Sequence, residues 1–451
     1  MSDLDYADLI TVFSVEGNTY VTSNVNGQTI KLFRSLDACA IQQLKEKGFF
    51  NKKSKKMESP KTITMSLNIS NKCNLKCKYC FNQCKDGRQL TFEQCRVFMD
   101  NVIEMHKTAN RFIVDISGSG EPLLSLDLVL LIAEYCRKKS NEINREVLVM
   151  FASNGILLSN DISELLKKNN ILYGISLDGL KKDNKYRIDF NNKNCFKKVM
   201  SNVKQIKNLD YVGVAVTLHS ETQNLVRIVK KLSIYFSTIS IKPVRNNFNY
   251  GLNENNIEGV ISNYYNLCNF LLRQTIYKKN LKYIKALLNG DDYFGRYIYR
   301  IIMNQTVSSR CDIGFSRYSL GIDGEVYGCP ALVGIKKVSL ERKLDVLRSK
   351  ECDNCYIRHI CGGECMANSY KFSKEFYLND KVMCTYKKNL FNLSIHLVDK
   401  LKHHPVFDEI KEFCIKRHRR EFLNPKIYEI MKKESVPFLD AKMIIDSQKD
   451  I

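Results

Sequence analysis

From residue 63 the chain alternates between two periodicities, and that alternation limits the fold more than any other feature. The segments TMSLNIS, FIVDISG, EVLVMFAS, LYGISLDG, VGVAVTLH and TISIKPV are apolar and largely β-branched. Between them lie TFEQCRVFMDNVIEM, LDLVLLIAEYCRKK, SELLKKNN, CFKKVMSNVKQIKN and NLVRIVKKLSIYF, with apolar residues at helical spacing. Parallel strands need crossover connections, so strands parted by helices predict a parallel sheet and an α/β fold class. The pattern alone fits either a curved six-unit partial barrel or a flat doubly wound sheet.

The flanking regions read differently. Within residues 1–60, LITVFSV, NTYVTSNV and QTIKLF predict three short strands, with Asn26-Gly27 turning between the last two. SLDACAIQQLKEKGFF predicts a helix capped by Ser35. This is a small α+β unit, and the polar, basic NKKSKKMESPK that follows reads as a linker. Residues 255–300 predict helices whose aromatic and Leu residues belong to the core. Residues 311–384 hold cysteines with little periodicity, and further helices with a charged tail follow residue 385. The expected divisions are 1–60, 63–250, 251–310, 311–390 and 391–451. They comprise the α+β unit, the strand–helix repeats, a helical bridge, a cysteine-rich domain and a helical tail.

The chain has 17 cysteines among 451 residues. No apolar run is long enough to span a bilayer, and the acidic start MSDLDYADLI lacks the basic region of a signal peptide. The expected compartment is therefore the cytoplasm, with no membrane partner. Many of the cysteines stand two to four positions apart, which suits metal thiolates better than disulfides. The net charge of +22 would favour an acidic peptide or a nucleic acid. No basic run interleaved with aromatics stands out, so nucleic acid is the weaker expectation, and the lysines read as solvated helix faces.

Cys73, Cys77 and Cys80 form a C-x3-C-x2-C triplet directly after the first strand of the repeats. Random placement would give this triplet roughly 0.02 times in such a chain. Thiolates so spaced can converge on one cluster from a single loop. Three ligands leave one iron of a cubane cluster open to a small molecule. A structural zinc site would need a fourth ligand, for which Cys84 is the nearest candidate.

On these residues the chain resembles the radical S-adenosylmethionine (SAM) superfamily, whose hallmark is this loop with an aromatic residue, here Tyr79, before the last cysteine. The resemblance selects the partial (β/α)6 barrel. It implies a [4Fe–4S] cluster whose open iron binds SAM, and reductive cleavage to a 5′-deoxyadenosyl radical that abstracts substrate hydrogen. Further segments match in order. Gly118-Ser119-Gly120-Glu121-Pro122 resembles the family's GGEP motif, Ser153-Asn154-Gly155 its TNG, and Ser176-Leu177-Asp178-Gly179 is followed by Arg187. The implied SAM-contacting residues are Gly120, Glu121, Ser153, Asn154, Ser176 and Arg187, at strand C-terminal ends where α/β sheets place ligands.

The second cluster is sharper. Cys352-x2-Cys355-x5-Cys361-x3-Cys365 would arise by chance roughly 0.001 times per chain. Cys311 and Gly324-x4-Cys329 stand upstream, and Cys384 stands downstream. Zinc knuckles are the plain alternative. The seven-cysteine arrangement resembles the SPASM domain of radical SAM enzymes that modify peptides and proteins. That resemblance implies two auxiliary [4Fe–4S] clusters, three in all. Cys352, Cys355, Cys361 and Cys384 would hold one. Cys311, Cys329 and Cys365 would hold the other, with its last iron open or held by a group such as Asp312. The seven remaining cysteines are Cys39, Cys84, Cys95, Cys136, Cys195, Cys268 and Cys414, several of which read as small buried hydrophobes.

Within this family two subclasses compete. Ribosomal-peptide maturases form thioether or carbon–carbon crosslinks. Anaerobic sulfatase-maturating enzymes oxidise Cys or Ser to formylglycine, with an Asp after the cysteine that matches Cys329. Here Pro330 follows, which cannot take a proton. The first strands weakly resemble the peptide-recognition element fused to many maturases, where a leader peptide adds a strand; an acidic leader would suit the basic charge. A plain N-terminal cap on the barrel is the alternative. The expected activity is thus a crosslinking peptide maturase, thioether favoured, served by a flavodoxin or ferredoxin electron donor. A non-enzymatic iron–sulfur or zinc scaffold binding nucleic acid is the alternative of another class.

Overall fold

The computed structural model describes residues 10–33, 36–51, 60–82, 84–207, 209, 212–222, 224–244, 249–290, 292–307, 311, 313–335, 350–353, 355–376 and 378–421. The expected cap Ser35, the body of the linker at 52–59, the alternative ligand Asp312 and the tail beyond residue 421 lie outside the described residues.

The N-terminal unit is an antiparallel sheet of β1 (Ile10–Val15), β2 (Asn18–Ser23) and β3 (Thr29–Leu32), followed by α1 (Ala38–Glu46). Asp37 caps α1, its side chain accepting from the Ala40 amide at 2.7 Å. An acidic side chain satisfies the free N–H groups there and complements the helix dipole. Tyr20 is buried in the main core and donates to Asp399 at 3.1 Å. Phe13 stacks near Tyr356 and Phe391, with ring centroids 5.0 and 6.0 Å away.

The repeats fold as read. β4 (Thr62–Leu67), β5 (Arg111–Asp115), β6 (Glu146–Ser153), β7 (Ile171–Ser176), β8 (Gly213–Leu218) and β9 (Thr238–Pro243) lie side by side in chain order, all parallel. Their crossovers carry α2 (Phe92–Met105), α3 (Leu126–Ile143), α4 (Asn160–Lys168), α5 (Phe196–Gln205) and α6 (Leu225–Leu232). α2 starts with a full capping box between Thr91 and Gln94, and its buried stripe of Cys95, Phe98, Met99, Val102 and Ile103 faces the sheet core. Sequential parallel strands joined by helices form the open α/β sheet of a radical SAM partial barrel.

The sheet does not stop there. β10 (Arg317–Leu320) pairs in parallel with β4 from Thr64 to Leu67, and β11 (Val326–Tyr327) closes the edge antiparallel to β10. The cysteine-rich region therefore grows directly out of the barrel sheet.

The helical bridge is α7 (Ile257–Leu272), a π turn (Arg273–Tyr277), α8 (Lys282–Asn289) and α9 (Tyr293–Ile302). Short helices α10 (Lys350–Asp353), α11 (Arg358–Cys361) and α12 (Met366–Ser373) follow in the cysteine-rich region. α13 (Lys381–Lys402) runs unbroken through residue 390, where the sequence alone suggested a boundary, and packs on α7 and α9. α14 (Val406–Glu421) closes against α8, α9 and α13. Among the described residues no helix is long and apolar enough to cross a membrane.

Candidate active site

The loop after β4 carries Cys73, Cys77 and Cys80. It is strapped from both sides by backbone bonds. The amides of Lys76 and Lys78 donate to Ile188 at 2.8 Å and to Tyr186 at 3.0 Å. The Glu121 amide donates to the Lys72 carbonyl at 2.7 Å, and Ser119 donates to the Ser70 carbonyl at 2.6 Å. A side chain at Gly120 would put its Cβ 2.1 Å from that Lys72 carbonyl, so only glycine lets the two loops touch.

Glu121 is buried, and both carboxylate oxygens are used within the protein. One accepts from Ser153 at 2.8 Å and from the Leu123 amide at 3.3 Å; the other accepts from the Asn154 amide at 2.7 Å. Burial raises its pKa, opposed by those three donors. The network brings Glu121, Ser153 and Asn154 together and extends to the cysteine loop, because Asn154 donates to the Asn74 side chain at 2.6 Å. Its Nδ2 also lies 4.0 Å from the Cys73 sulfur. Gly155 holds φ +81°, and Val199 closes over it.

On the opposite side Tyr79 donates to Asp178, and Arg187 Nη1 lies 3.4 Å from the Tyr79 hydroxyl. Asp178 also accepts from the Thr217 amide at 3.1 Å. Both Asp178 and Arg187 are buried. Burial raises the Asp178 pKa, with Arg187 and Tyr79 opposing. Burial disfavours the Arg187 charge, but Tyr79, Cys77 and Asp178 outweigh it and the guanidinium stays firmly protonated. Among the described residues its Nε and Nη2 have no hydrogen-bond partner. Ser176 ends β7 half-buried, on the same rim. Sequence reasoning named Arg187 and Tyr79 but missed the Asp178 that joins them; its place in the Ser-Leu-Asp-Gly segment was the available signal.

The three cysteines are free thiols, half-buried. Burial pushes Cys77 up to about 12 and raises Cys73, and Cys77 feels the charges of Cys80 and Cys73. Cys84 is drawn aside: it is exposed and donates to Asp86 at 3.2 Å. Of the other six extra cysteines, Cys95, Cys136, Cys195, Cys268 and Cys414 are buried, whereas Cys39 is exposed. Among the described residues no three Cys, His, Asp or Glu side chains are gathered around a metal-sized point.

The seven cysteines form two sets. Cys311, Cys329 and Cys365 pack on a small apolar group of Ile313, Leu332, Met366 and Ala367. Burial pushes Cys329 up to about 12, with Cys365 and Cys311 adding to it. In the other set, burial pushes Cys384 up to about 12, and Cys361 and Cys352 add to it; Cys355 feels the same two. Beneath this set lies a buried ion pair, Lys387 to Glu364 at 2.5 Å, both about fully enclosed.

A cavity of about 240 Å³ joins the regions. Phe81, Gly118, Ser119, Pro330, Ala331 and Lys371 are among the residues that line it. Burial lowers the Lys371 pKa, while Cys329, Cys365 and Cys80 oppose the shift, so this amine lies near both cysteine groups.

Residues 67–232, from the last residue of β4 to the end of α6, match the model of the radical SAM superfamily. This segment is thus similar to the radical SAM superfamily. The chain is 24% identical over 377 residues to the cysteine-type anaerobic sulfatase-maturating enzyme of Clostridium novyi (strain NT), covering 74% of this chain and 96% of that one. It is 25% identical over 362 residues to the radical SAM cyclopropyl synthase TigE of Paramaledivibacter caminithermalis, covering 72% of each. The solved structure of native anSMEcpe with bound AdoMet superposes with a TM-score of 0.60 at 20% identity, over 77% of this chain and all of that one. At that identity the likeness concerns the fold.

The residues present fit what a radical SAM chain would hold. Three thiols on one loop suit a cubane cluster with a free iron. Arg187, a buried cation beside that loop, has side-chain nitrogens without a hydrogen-bond partner among the described residues and could serve an anionic group.

Proposed function

We propose that this chain is a radical SAM peptide maturase that closes a crosslink, a thioether by preference, in a ribosomally made precursor peptide. The observation that carries the reading is a cavity lined by Phe81 and Asn82, just after Cys80, and by Pro330 and Ala331, just after Cys329. It supplies one space in which a peptide segment would meet both cysteine groups. When bound, SAM on a [4Fe–4S] cluster at Cys73, Cys77 and Cys80 supplies a hydrogen-abstracting radical, and two auxiliary clusters on the seven cysteines supply an electron acceptor. Gly120, Glu121, Ser153, Asn154, Ser176 and Arg187 are assigned to the cosubstrate's surroundings. The network of Glu121, Ser153 and Asn154 braces the loop from one side, and the Tyr79–Asp178–Arg187 triangle fixes it from the other. Forming a C–S bond removes one hydrogen atom from carbon, one proton from the thiol and one further electron. A flavodoxin or ferredoxin is the assigned reductant.

The N-terminal unit is assigned to an acidic leader. β3 is the edge strand of its sheet, and a groove of about 690 Å³ runs between it and α9, α13 and α14. Arg300, Lys402 and Lys411 line the groove, together with Lys31 already paired to Asp399, so an added strand carrying Asp or Glu would meet net positive charge.

The likeness to the Clostridium novyi enzyme favours a second reading, formylglycine formation. Against it, the position after Cys329 is Pro330, and the acid in the cavity wall, Asp323, already accepts from Tyr327 at 2.6 Å. Co-expression with a small Cys-containing open reading frame beside the gene separates the two. A mass loss of two hydrogens with no hydrazide-reactive aldehyde supports the crosslink; an aldehyde at the cysteine supports the second reading. Absence of 5′-deoxyadenosine from the reduced, reconstituted protein contradicts both.

A further inference from the structure

Lys371, on α12, is a half-buried cation, and among the described residues no carboxylate pairs with it; the Cys329, Cys365 and Cys80 thiols are the groups that favour its charge. It lines the cavity together with Phe81, Gly118 and Ser119. The other cation in that wall, Arg88, is already paired, with Asp86 at 2.5 Å. Asp323, in the same wall, makes no ion pair with Lys371 and is engaged by Tyr327 and by the Glu325 amide. A lysine held part-way out of water without a carboxylate partner keeps donors to spare, and a carboxylate entering the cavity would supply one.

We propose that Lys371 is a specificity-determining residue that binds a carboxylate of the peptide substrate, so that an acidic group sits in the cavity beside the reacting segment. The chemistry admits two sources, an Asp or Glu side chain near the modified residue or the peptide's C-terminal carboxylate. Either would be held by one charge-assisted hydrogen bond, whose direction places the neighbouring peptide carbons between the Cys80 loop and Pro330. This assignment rests on the peptide reading above, but it is tested by binding alone and does not need a loaded enzyme.

The probes are three fluorescein-labelled hexapeptides, Gly-Ser-Asp-Cys-Ala-Gly amide, its Asn counterpart as the amide, and the Asn counterpart as the free acid. Fluorescence anisotropy at low salt measures their binding to the full-length protein. The wild type is expected to prefer one carboxylate-bearing peptide over the neutral one by roughly tenfold, as for a hydrogen bond to a charged group. The peptide that shows the preference identifies the source. Lys371→Met should erase it, and Lys371→Arg, which keeps the charge, should retain most of it. Far-UV circular dichroism verifies that both variants are folded. A wild type without preference, including one that binds none of the peptides, overturns the proposal. So does a preference that survives in Lys371→Met. SAM cleavage without peptide is measured in parallel: its absence in wild type defeats the enzymatic reading, whereas its presence with no carboxylate preference defeats only the assignment of Lys371.

Discussion

The two cysteine regions are held by opposite means. The barrel loop is strapped by backbone hydrogen bonds to Tyr186, Ile188 and Glu121, with buried side-chain networks on both flanks. In the C-terminal region Cys311, Cys329 and Cys365 pack on a few apolar side chains, Cys355 and Cys361 lean on the main core, and Cys384 sits on α13 near one enclosed ion pair. Backbone straps are insensitive to side-chain identity except where the chains touch, as at Gly120. Side-chain support concentrates its strength in a few residues. On the proposed function the labour divides: the barrel loop would fix the geometry for making a radical, and the C-terminal region would handle the substrate.

The division is most exposed at Cys329. Cys329→Ala should leave SAM cleavage without peptide nearly unchanged while lowering peptide product by more than about 100-fold, read by mass spectrometry of the peptide. Equal loss of both activities would mean that the two regions do not act separately. The next effect concerns stability. Lys387→Met strands the Glu364 carboxylate in the interior and should cost about 3–5 kcal/mol, read by denaturant unfolding of the metal-free chain. Lys387→Met with Glu364→Gln should recover much of that. A single variant as stable as wild type would show that the pair does not support the C-terminal sets.

In the barrel the expected effects are smaller because the straps share the load. Gly120→Ala must push apart two backbone segments, for about 1–3 kcal/mol, and should slow SAM cleavage more than it lowers the melting temperature. The smallest effect lies at the joint between regions. His106, at the C-terminal end of α2, shares a hydrogen bond of 2.8 Å with Tyr318 on β10. Burial lowers its pKa, so the unfolded chain takes up a proton first as pH falls. Its contribution is full above the ordinary histidine range. It is lost from there downward until the folded-state pKa is reached. His106→Gln should flatten the melting temperature between pH 7 and 5; an unchanged slope would remove His106 from the joint.

Most of the barrel was legible because long apolar runs and amphipathic helices carry their periodicity in the chain itself. EVLVMFAS predicted β6 to the residue. What failed to show was short or non-local. β10 is four residues, RYSL, and is a strand only because β4 lies beside it. The cap of α1 fell on Asp37 rather than on the earlier serine, since both residue types cap well and only the turn decides. At the site, spacing marked the cysteines as candidate ligands, and covalent order keeps Cys73, Cys77 and Cys80 on one loop; their role as ligands belongs to the proposal. Asp178 stood in a segment that the sequence marked, but its bond to Tyr79 crosses 99 residues of chain, and nothing local marks Lys371 as lining the cavity. The exposed Cys39 and Cys84 look in sequence like their five buried counterparts, and only packing separates them.

Whether Cys73, Cys77 and Cys80 are where SAM is cleaved is settled by one assay. The wild type and the Cys73→Ala, Cys77→Ala, Cys80→Ala triple variant are reconstituted anaerobically with iron and sulfide, reduced, and given SAM. The wild type should release 5′-deoxyadenosine; the triple variant should release none, yet keep the iron–sulfur absorbance of the C-terminal sets. Undiminished 5′-deoxyadenosine from the triple variant, or none from the wild type, would contradict the account.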